Sequence, residues 1–283
     1  MQRRQFTTGL MLVLPTALTW ARDDGARWRA IEAAVGGRLG VAVLDTASGR
    51  TTGHRLEERF PMCSTFKWLV AAAVLQRVDA GRDDLQRQVR FDARALLSNS
   101  PVTEQHVGDG LTVAELCEAA VTVSDNAAAN LLLRTVGGPT GLTAYARALG
   151  DPATRLDRYE PMLNDAHPGD PRDTTTPRAM SIALRSALLG DALSPAGRAQ
   201  LLAWMKATTT GKDRLRAGVP ATWQVADKTG TGNHGSTNDV ALLMPPDRAP
   251  LVVAAYLTGT VAPMVRRNGA LAEVGRAVAA TPG

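Results

Sequence analysis

The sequence lacks several features that would each point to a particular kind of protein. Its 283 residues contain only two cysteines and four histidines, and the histidines are scattered at spacings that match no zinc motif. There is no internal repeat or low-complexity segment, and no apolar run beyond residue 21 is long enough to span a bilayer. We therefore expect no metal site, no cofactor, no repeat architecture and no membrane-spanning segment in the mature chain.

Aromatic residues are also scarce, at 4% of the chain, although the formal charge is +5. Surfaces that bind nucleic acids combine basic stripes with aromatic side chains, and no such stripe is present, so we expect no nucleic-acid partner. Lysine is scarcer still, since the 32 basic residues include only Lys67, Lys206, Lys212 and Lys228. Because an ammonium is compact and can lose its proton while a guanidinium does neither, a retained lysine is a candidate for chemistry.

The first 21 residues are predicted to be an export signal rather than part of the fold. A basic start containing Arg3 and Arg4 precedes an apolar stretch over 9–20, and small residues follow at a candidate cleavage site. The arginine pair followed by Phe6 is typical of a twin-arginine signal, with a Sec signal as the alternative. The mature protein is therefore expected to be soluble and exported.

Strand-like segments at both ends of the chain, with helices between them, indicate an α+β fold. Apolar alternation and β-branched residues predict strands over 39–45, 50–55, 223–231, 239–244 and 251–258. Periodicity and cap residues predict helices over 28–35, 64–80, 126–136 and 270–280, and others beginning at Thr112, Pro177 and Pro195. We expect a five-stranded antiparallel sheet flanked by N- and C-terminal helices, with 22–62 and 207–283 forming an α/β lobe and 63–206 an all-helical lobe. Chemistry is expected in the cleft between the lobes.

Three short motifs follow one another along the chain: Ser64-Thr-Phe-Lys67, Ser124-Asp-Asn126 and Lys228-Thr-Gly-Thr231. Residues three apart share one helix face, so a serine near the positive end of a helix could pass its proton to the lysine of the first motif. Each motif alone has a plainer interpretation, as a helix cap, a turn or an exposed strand end. Gly230 in the third motif would let a ligand approach the backbone closely. All three in this order are expected by chance in about one chain in a thousand.

The set of motifs resembles that of the class A β-lactamases and penicillin-binding proteins. The resemblance covers essentially the whole chain after the signal, and residues 60–67 are similar to exported class A enzymes of Gram-negative bacteria. Segments 154–164 and 169–177 resemble the class A Ω-loop, which we place at 154–173 within the helical lobe. The loop carries Glu160 and Asn164, and a carboxylate and an amide four residues apart can hold one water between them.

The resemblance implies hydrolysis of penicillins and cephalosporins through a covalent acyl-enzyme. Ser64 would attack the lactam carbonyl, and the backbone N–H groups of Ser64 and Thr231 would form the oxyanion hole. Either Lys67 or Glu160, the latter through a water, would take the serine proton, and the sequence leaves both alternatives open.

The resemblance assigns the later steps to four further residues. Ser124, helped by Lys228, would pass a proton to the departing nitrogen, and Asn126 would hold the amide side chain of the substrate. Glu160 and Asn164 would then direct a water at the ester.

The substrate carboxylate is expected to meet Thr229, Thr231 and a guanidinium. Many relatives carry that arginine where this chain has Thr237, whereas others supply it from an Arg-x-Arg-Ala segment that matches 214–217. We therefore assign the carboxylate contact to Arg214, with a plain surface arginine as the alternative.

Two cysteine positions and one cleft position depart from the family pattern. The usual partner of Cys117 is replaced by Ala71, and the partner that Cys63 has in carbapenem-hydrolysing relatives is replaced by Gly232. We therefore expect two free, buried thiols. The missing bridge at Cys63 makes carbapenem hydrolysis less expected but does not exclude it. Asn99 stands where relatives often carry an aromatic residue, which predicts a more open cleft mouth.

The Ω-loop separates the enzyme from its closest rivals. A D,D-peptidase or a penicillin-sensing domain would share the three motifs, but both should lack Glu160 and Asn164, and both need a membrane tether. A general esterase is disfavoured because the chain has no G-x-S-x-G motif. The family pattern also predicts an ion pair between Arg158 and Asp173 and a cis bond before Pro161. We expect a monomer whose partner is a small β-lactam.

Overall fold

The computed structural model describes residues 17–281. The helices are α1 (Ala17–Val35), α2 (Phe66–Asp79), α3 (Val113–Thr122), α4 (Asn126–Thr135), α5 (Gly138–Ala148), α6 (Pro177–Leu189), α7 (Pro195–Lys206), α8 (Leu215–Gly218) and α9 (Met264–Ala279). The strands are β1 (Arg38–Asp45), β2 (Thr51–His54), β3 (Phe60–Pro61), β4 (Gln88–Val89), β5 (Leu111–Thr112), β6 (Thr174–Thr175), β7 (Gln224–Thr231), β8 (Thr237–Met244) and β9 (Leu251–Thr258).

Strands from the two ends of the chain form one antiparallel sheet in the order β2-β1-β9-β8-β7. Short loops join β1 to β2, β7 to β8 and β8 to β9, and β1 pairs with β9 along its whole length. The predicted α+β fold with a five-stranded antiparallel sheet is therefore confirmed.

The two faces of the sheet pack against different helices. Val41, Val253 and Leu257 face a cluster that includes Trp28 of α1 and Leu271 of α9. Their neighbours in the strands point to the opposite face and join the helices of the middle of the chain. Because both faces are covered, every residue of β9 is buried, which explains its continuous apolar sequence.

Helix α2 lies at the centre of the helical region. Its residues from Phe66 to Leu75 are all buried, as expected for a helix that is apolar on every side. Helices α3, α4, α5 and α7 contact it, and the short 3₁₀ turn Cys63–Thr65 before it contacts β7 and β8. The N-terminal end of α2 is thereby placed where the helical region meets the edge of the sheet.

The predicted helix starts agree with the structure where cap residues mark them. Thr112 and Glu115 form a capping box, and Thr176 and Ser194 each accept a hydrogen bond from the third residue after them. The helix predicted over 126–136 ends at Thr135, and Gly137, with a left-handed φ of 88°, is the N-cap of α5, which was not predicted. Helix α9 begins six residues earlier than predicted because its first turn exposes Val265 and therefore shows no apolar periodicity.

Within 17–281, no helix combines the length and apolar character needed to cross a membrane. Most of the predicted export signal, residues 1–16, lies outside the described residues. The division into two lobes at residues 62–63 and 206–207 stays a prediction.

Candidate active site

Ser64 lies in the 3₁₀ turn that leads into α2. The residue before it, Cys63, has a φ of 46°, a left-handed conformation that costs a non-glycine residue about 1–2 kcal/mol. The residue after it, Thr65, is the N-cap of α2, so Ser64 is not the helix cap of the plainer interpretation. The turn leaves the Ser64 hydroxyl beside the positive end of the helix.

The Ser64 hydroxyl and the Lys67 ammonium meet at the same carboxylate oxygen. Ser64 Oγ donates to Glu160 Oε1 over 3.2 Å, and Lys67 Nζ lies 3.1 Å from that oxygen. Lys67 is fully buried, and burial lowers its pKa from the ordinary value although the charge of Glu160 acts in the opposite sense. Both residues proposed to take the serine proton therefore lie at the nucleophile, and the hydroxyl donates to the carboxylate.

Ser124 connects the two buried lysines of the site. Its Oγ accepts from Lys67 Nζ at 3.2 Å and from Lys228 Nζ at 3.1 Å. The left-handed φ of 61° at Ser124 also turns its carbonyl oxygen towards Lys67 Nζ, at 2.8 Å. Burial and the nearby Lys67 lower the pKa of Lys228 well below its ordinary value. The arrangement gives a continuous hydrogen-bonded path between the first and third motifs.

Asn126 is the first residue of α4, and both the oxygen and the nitrogen of its side-chain amide have hydrogen-bond partners. Its Oδ1 accepts from Lys67 Nζ, and its Nδ2 donates to the carbonyl of Ser98 at 2.7 Å. Asn99 next to it has a φ of 59° and donates from Nδ2 to the carbonyl of Ser124. The Asn99 side chain is thus held on the backbone of the second motif.

Glu160 is held by one residue of the Ω-loop and by one residue of α4. Its Oε2 accepts from Asn164 Nδ2, and Asn164 Oδ1 is buried with no hydrogen-bond partner among the described residues. Asn130 of α4 hydrogen-bonds to both backbone groups of Glu160. Its Oδ1 accepts from the Glu160 amide at 3.0 Å, and its Nδ2 donates to the Glu160 carbonyl at 2.9 Å. The Glu160–Pro161 bond is cis. The carboxylate therefore faces Ser64 from a clamped backbone.

The base of the Ω-loop carries the ion pair that the family pattern predicts. Arg158 Nε donates to Asp173 Oδ2 over 2.6 Å. Asp173 Oδ1 also accepts from the amides of Asp157 and Arg158, and its side chain is almost completely buried. A second carboxylate, Asp165, accepts from Arg158 Nη1.

Arg214 lies across the ends of β7 and β8. Its Nη1 donates to the carbonyls of Gly230 and Asn238, at 2.9 and 2.7 Å, and its Nη2 donates to Thr231 Oγ1 at 2.7 Å. Asn268 of α9 accepts from Nε. The guanidinium is buried and forms no salt bridge with any residue of the described chain, and burial lowers its pKa. A buried cation without a direct ion pair thus lies beside Thr231.

Gly230 brings β7 against the turn that carries Ser64. A Cβ atom there would lie 2.7 Å from the Met62 carbonyl oxygen and 3.2 Å from the Thr65 amide nitrogen. We expected this glycine to make room for a ligand, but the structure shows that it makes room for the turn of the nucleophile.

Both cysteines are free and buried. Burial raises the pKa of Cys63 to about 12 and raises that of Cys117 as well, so neither thiol is a nucleophile at neutral pH. A Cβ at Gly232 would lie 2.6 Å from Cys63 Sγ, which shows how closely the residue after β7 packs on that thiol.

Two residues with direct contacts to the site were not found in the sequence. Asn130 lies one helical turn after Asn126 on the same face of α4, and this i, i+4 spacing is the signal that could have found it. Asn268 lies in α9, more than 50 residues beyond Arg214, and no local pattern marks it.

Comparisons with known proteins agree with this geometry. A model of the beta-lactamase enzyme family matches residues 26–281. A last common ancestor of Gram-negative bacterial class A β-lactamases is 61% identical, with 89% of this chain and 97% of the ancestor covered and a TM-score of 0.88. A Rhodopseudomonas palustris protein assigned to class A, PenP, is 60% identical over 91% of this chain and 98% of its own, with a TM-score of 0.90. The chain therefore belongs to the beta-lactamase enzyme family, as a class A enzyme that hydrolyses β-lactams.

Proposed function

We propose that the enzyme opens the β-lactam ring through an ester on Ser64 and hydrolyses that ester with a water activated by Glu160. The observation that carries this proposal is the position of Glu160, which accepts from Ser64 Oγ with one oxygen and from Asn164 with the other. One carboxylate can therefore serve the nucleophile in the first half of the reaction and a water in the second.

In the acylation half, Ser64 Oγ attacks the lactam carbonyl and loses its proton to Glu160 or Lys67. The hydrogen bond to Glu160 favours the carboxylate as the direct acceptor. The lowered pKa of Lys67 favours a neutral amine that can exchange that proton. The backbone N–H groups of Ser64 and Thr231 are proposed to bind the oxyanion, where one donor contributes about 3 kcal/mol.

Departure of the lactam nitrogen requires a proton, and the proposed donor is Ser124. Its hydroxyl lies between Lys67 and Lys228, so a proton taken from Ser64 can reach the nitrogen through Lys67 and Ser124. Lys228 stabilises the serine oxygen as it gives up its proton.

In the deacylation half, Glu160 takes a proton from water, which then attacks the ester carbonyl. The unpartnered acceptor Asn164 Oδ1 lies beside the carboxylate and can orient the second hydrogen of that water. A D,D-peptidase or a penicillin-sensing domain has no need of this pair, because neither must hydrolyse its acyl-enzyme quickly.

Substrate binding is assigned to the end of β7 and to α4. Thr229, Thr231 and Arg214 would bind the substrate carboxylate, with the backbone at Gly230 holding their spacing. Asn126 Nδ2 would use its second hydrogen for the acylamino side chain. We further propose that the enzyme is exported to the periplasm of a Gram-negative bacterium and works there as a monomer; the basic start and apolar stretch of its first 21 residues support export.

The test is steady-state hydrolysis of benzylpenicillin, a cephalosporin and a carbapenem, with mass spectrometry of the quenched enzyme. Rapid turnover of the first two substrates, with a transient adduct on Ser64, supports the proposal. A stable stoichiometric adduct without turnover would instead identify a penicillin-binding or sensing protein.

A further inference from the structure

Two of the four histidines meet at the rim of the active site. His167 lies in the Ω-loop three residues after Asn164, and His234 lies in the turn between β7 and β8. Their ring centroids are 5.5 Å apart, and the ring planes are tilted by 55°. Both side chains are exposed, so a solute can reach the pair directly.

The backbone fixes the two histidines relative to each other. The Asn233 amide donates to the Asn164 carbonyl at 3.0 Å, which joins the turn to the loop. On the far side of the pair, the Gly259 amide donates to the His234 carbonyl at 2.7 Å, and the Asp170 amide donates to the His167 carbonyl at 3.1 Å. These hydrogen bonds hold the backbone on which the two exposed side chains stand, so the imidazoles remain within reach of each other.

The distance between the rings suits a shared metal ion. A nitrogen lies about 1.2 Å from the centre of its imidazole ring, and with metal–nitrogen bonds of about 2.1 Å at a tetrahedral angle the two centroids would be ~5 Å apart. The observed 5.5 Å is within a small side-chain rotation of that value. Both imidazoles are exposed and lie against each other, so a metal ion from solvent can reach their ring nitrogens.

We propose that His167 and His234 form a two-histidine site for a divalent transition-metal ion, which joins the Ω-loop to the β7–β8 turn. No group of three or more His, Cys, Asp or Glu residues in the described chain could hold a metal, so solvent would complete the coordination and the ion would exchange freely. Imidazole ligands select Cu²⁺ above Ni²⁺ and Zn²⁺, whereas Mg²⁺ and Ca²⁺ prefer oxygen and are excluded.

The test is a calorimetric titration of the tag-free, chelator-treated enzyme with Cu²⁺, Ni²⁺, Zn²⁺ and Mg²⁺ at pH 7.5. The two imidazoles act as linked ligands, so either His167→Asn or His234→Asn should weaken Cu²⁺ binding by about a hundredfold. The double variant should bind no more weakly than the weaker single one. His106→Asn is the matched control, since His106 lies outside the pair, and it should bind as the parent does.

Hydrogen exchange gives a second and local measurement. Saturating Cu²⁺ should slow exchange of amides in 164–170 and 232–236 of the parent, and should change neither segment in His167→Asn/His234→Asn. Parent-like affinity in both single variants, or equal weakening in His106→Asn, would overturn the proposal. So would metal-dependent protection that appears elsewhere and persists in the double variant.

Discussion

At the scale of single residues, one carboxylate, that of Glu160, contacts three of the residues assigned to catalysis or binding. Glu160 Oε1 meets Ser64 Oγ and Lys67 Nζ, while Oε2 meets Asn164. The carboxylate is buried, and the backbone contacts from Asn130 keep it from turning away. Removing this one side chain should therefore slow deacylation more than acylation, because Lys67 can still take the proton of Ser64.

Glu160→Ala is expected to acylate on Ser64 and then accumulate the adduct. General-base catalysis contributes about 10²–10⁴-fold, so deacylation should fall by that factor. Mass spectrometry after mixing with benzylpenicillin, together with stopped-flow acylation rates, measures both halves. If acylation falls as far as deacylation, Glu160 is also the acylation base, and a near-parent acylation rate assigns that role to Lys67. Free enzyme with parent turnover would contradict the mechanism.

Arg214→Ala is expected to lower kcat/KM for penicillins by about ten- to a hundredfold, because a hydrogen bond to a charged group contributes about 1.5–3 kcal/mol. Relatives that lack this arginine carry one at the position of Thr237, so Arg214→Ala/Thr237→Arg should recover part of the loss. Steady-state kinetics of both variants provide the check. Unchanged kinetics for Arg214→Ala would leave Lys228 as the cation for the substrate carboxylate.

The residues found from the sequence are those that form local motifs. Ser64 with Lys67 and Glu160 with Asn164 lie within one helical turn or one loop, so they form short motifs whose resemblance to the class A pattern indicated them. The hydrogen bond between Ser64 and Glu160 joins residues 96 positions apart, and no local pattern encodes it. The left-handed backbone conformation of Cys63 and Ser124 could not be predicted either, because neither cysteine nor serine is typical of that conformation.

At the scale of elements, the Ω-loop depends on its base. Arg158 and Asp173 close the loop, and Asp173 also binds two backbone amides. Because Asp173 is buried, removing its carboxylate leaves two backbone amides without their acceptor and leaves Arg158 paired with Asp165 alone.

Asp173→Ala is expected to destabilise the fold by about 3–5 kcal/mol and to slow deacylation more than acylation. Asp170→Ala is the matched control, since Asp170 lies in the same loop but pairs with the exposed Arg172. Thermal unfolding and single-turnover kinetics of the two variants test the prediction. A loss in Asp170→Ala as large as that in Asp173→Ala would show that the pair has no special role.

The elements themselves were predictable to different degrees. The sheet strands agree with the structure because burial on one or both faces imposes a clear apolar pattern, and β9 agrees at both ends. The short strands β3 and β6 were not predicted, since two residues carry no periodicity. Helix α5 was not predicted because two successive glycines indicate the end of a helix, whereas here Gly137 caps α5 and Gly138 is its first residue.

At the scale of the whole molecule, the sheet edge carries a group of buried charges at a cost to stability. Burial lowers the pKa of Lys67, Lys228 and Arg214 and raises that of Asp227 and Asp239. Each of these shifts means that the folded state disfavours the charged form. Sites arranged for catalysis commonly carry such a cost.

Lys228→Met should therefore abolish most activity and yet raise the melting temperature. Lys228 is completely buried and makes no salt bridge to any residue in 17–281, so an apolar side chain of similar length relieves the cost of its charge. About 1 kcal/mol of relief corresponds to ~2–4 °C in a protein of this size. Lys206→Met, at an exposed lysine, is the control and should leave the melting temperature within about 1–2 °C of the parent, since surface changes stay within ±0.5 kcal/mol.

The pH dependence gives the decisive check on Lys228. Its folded pKa is lowered from the ordinary 10.5, so the unfolded chain binds more protons between the two values and stability of the parent rises with pH there. The free-energy cost of burying the charged ammonium is complete at pH values below the folded pKa of Lys228, and it vanishes above about pH 10.5. The advantage of Lys228→Met should thus be largest at neutral pH and shrink steadily towards pH 10, as followed by calorimetric melting of both proteins at matched ionic strength. An advantage that is constant with pH would trace the effect to packing, and a lower melting temperature at pH 7 would show that the hydrogen bonds from Lys228 to Ser124 and Thr229 outweigh the cost of burying its charge.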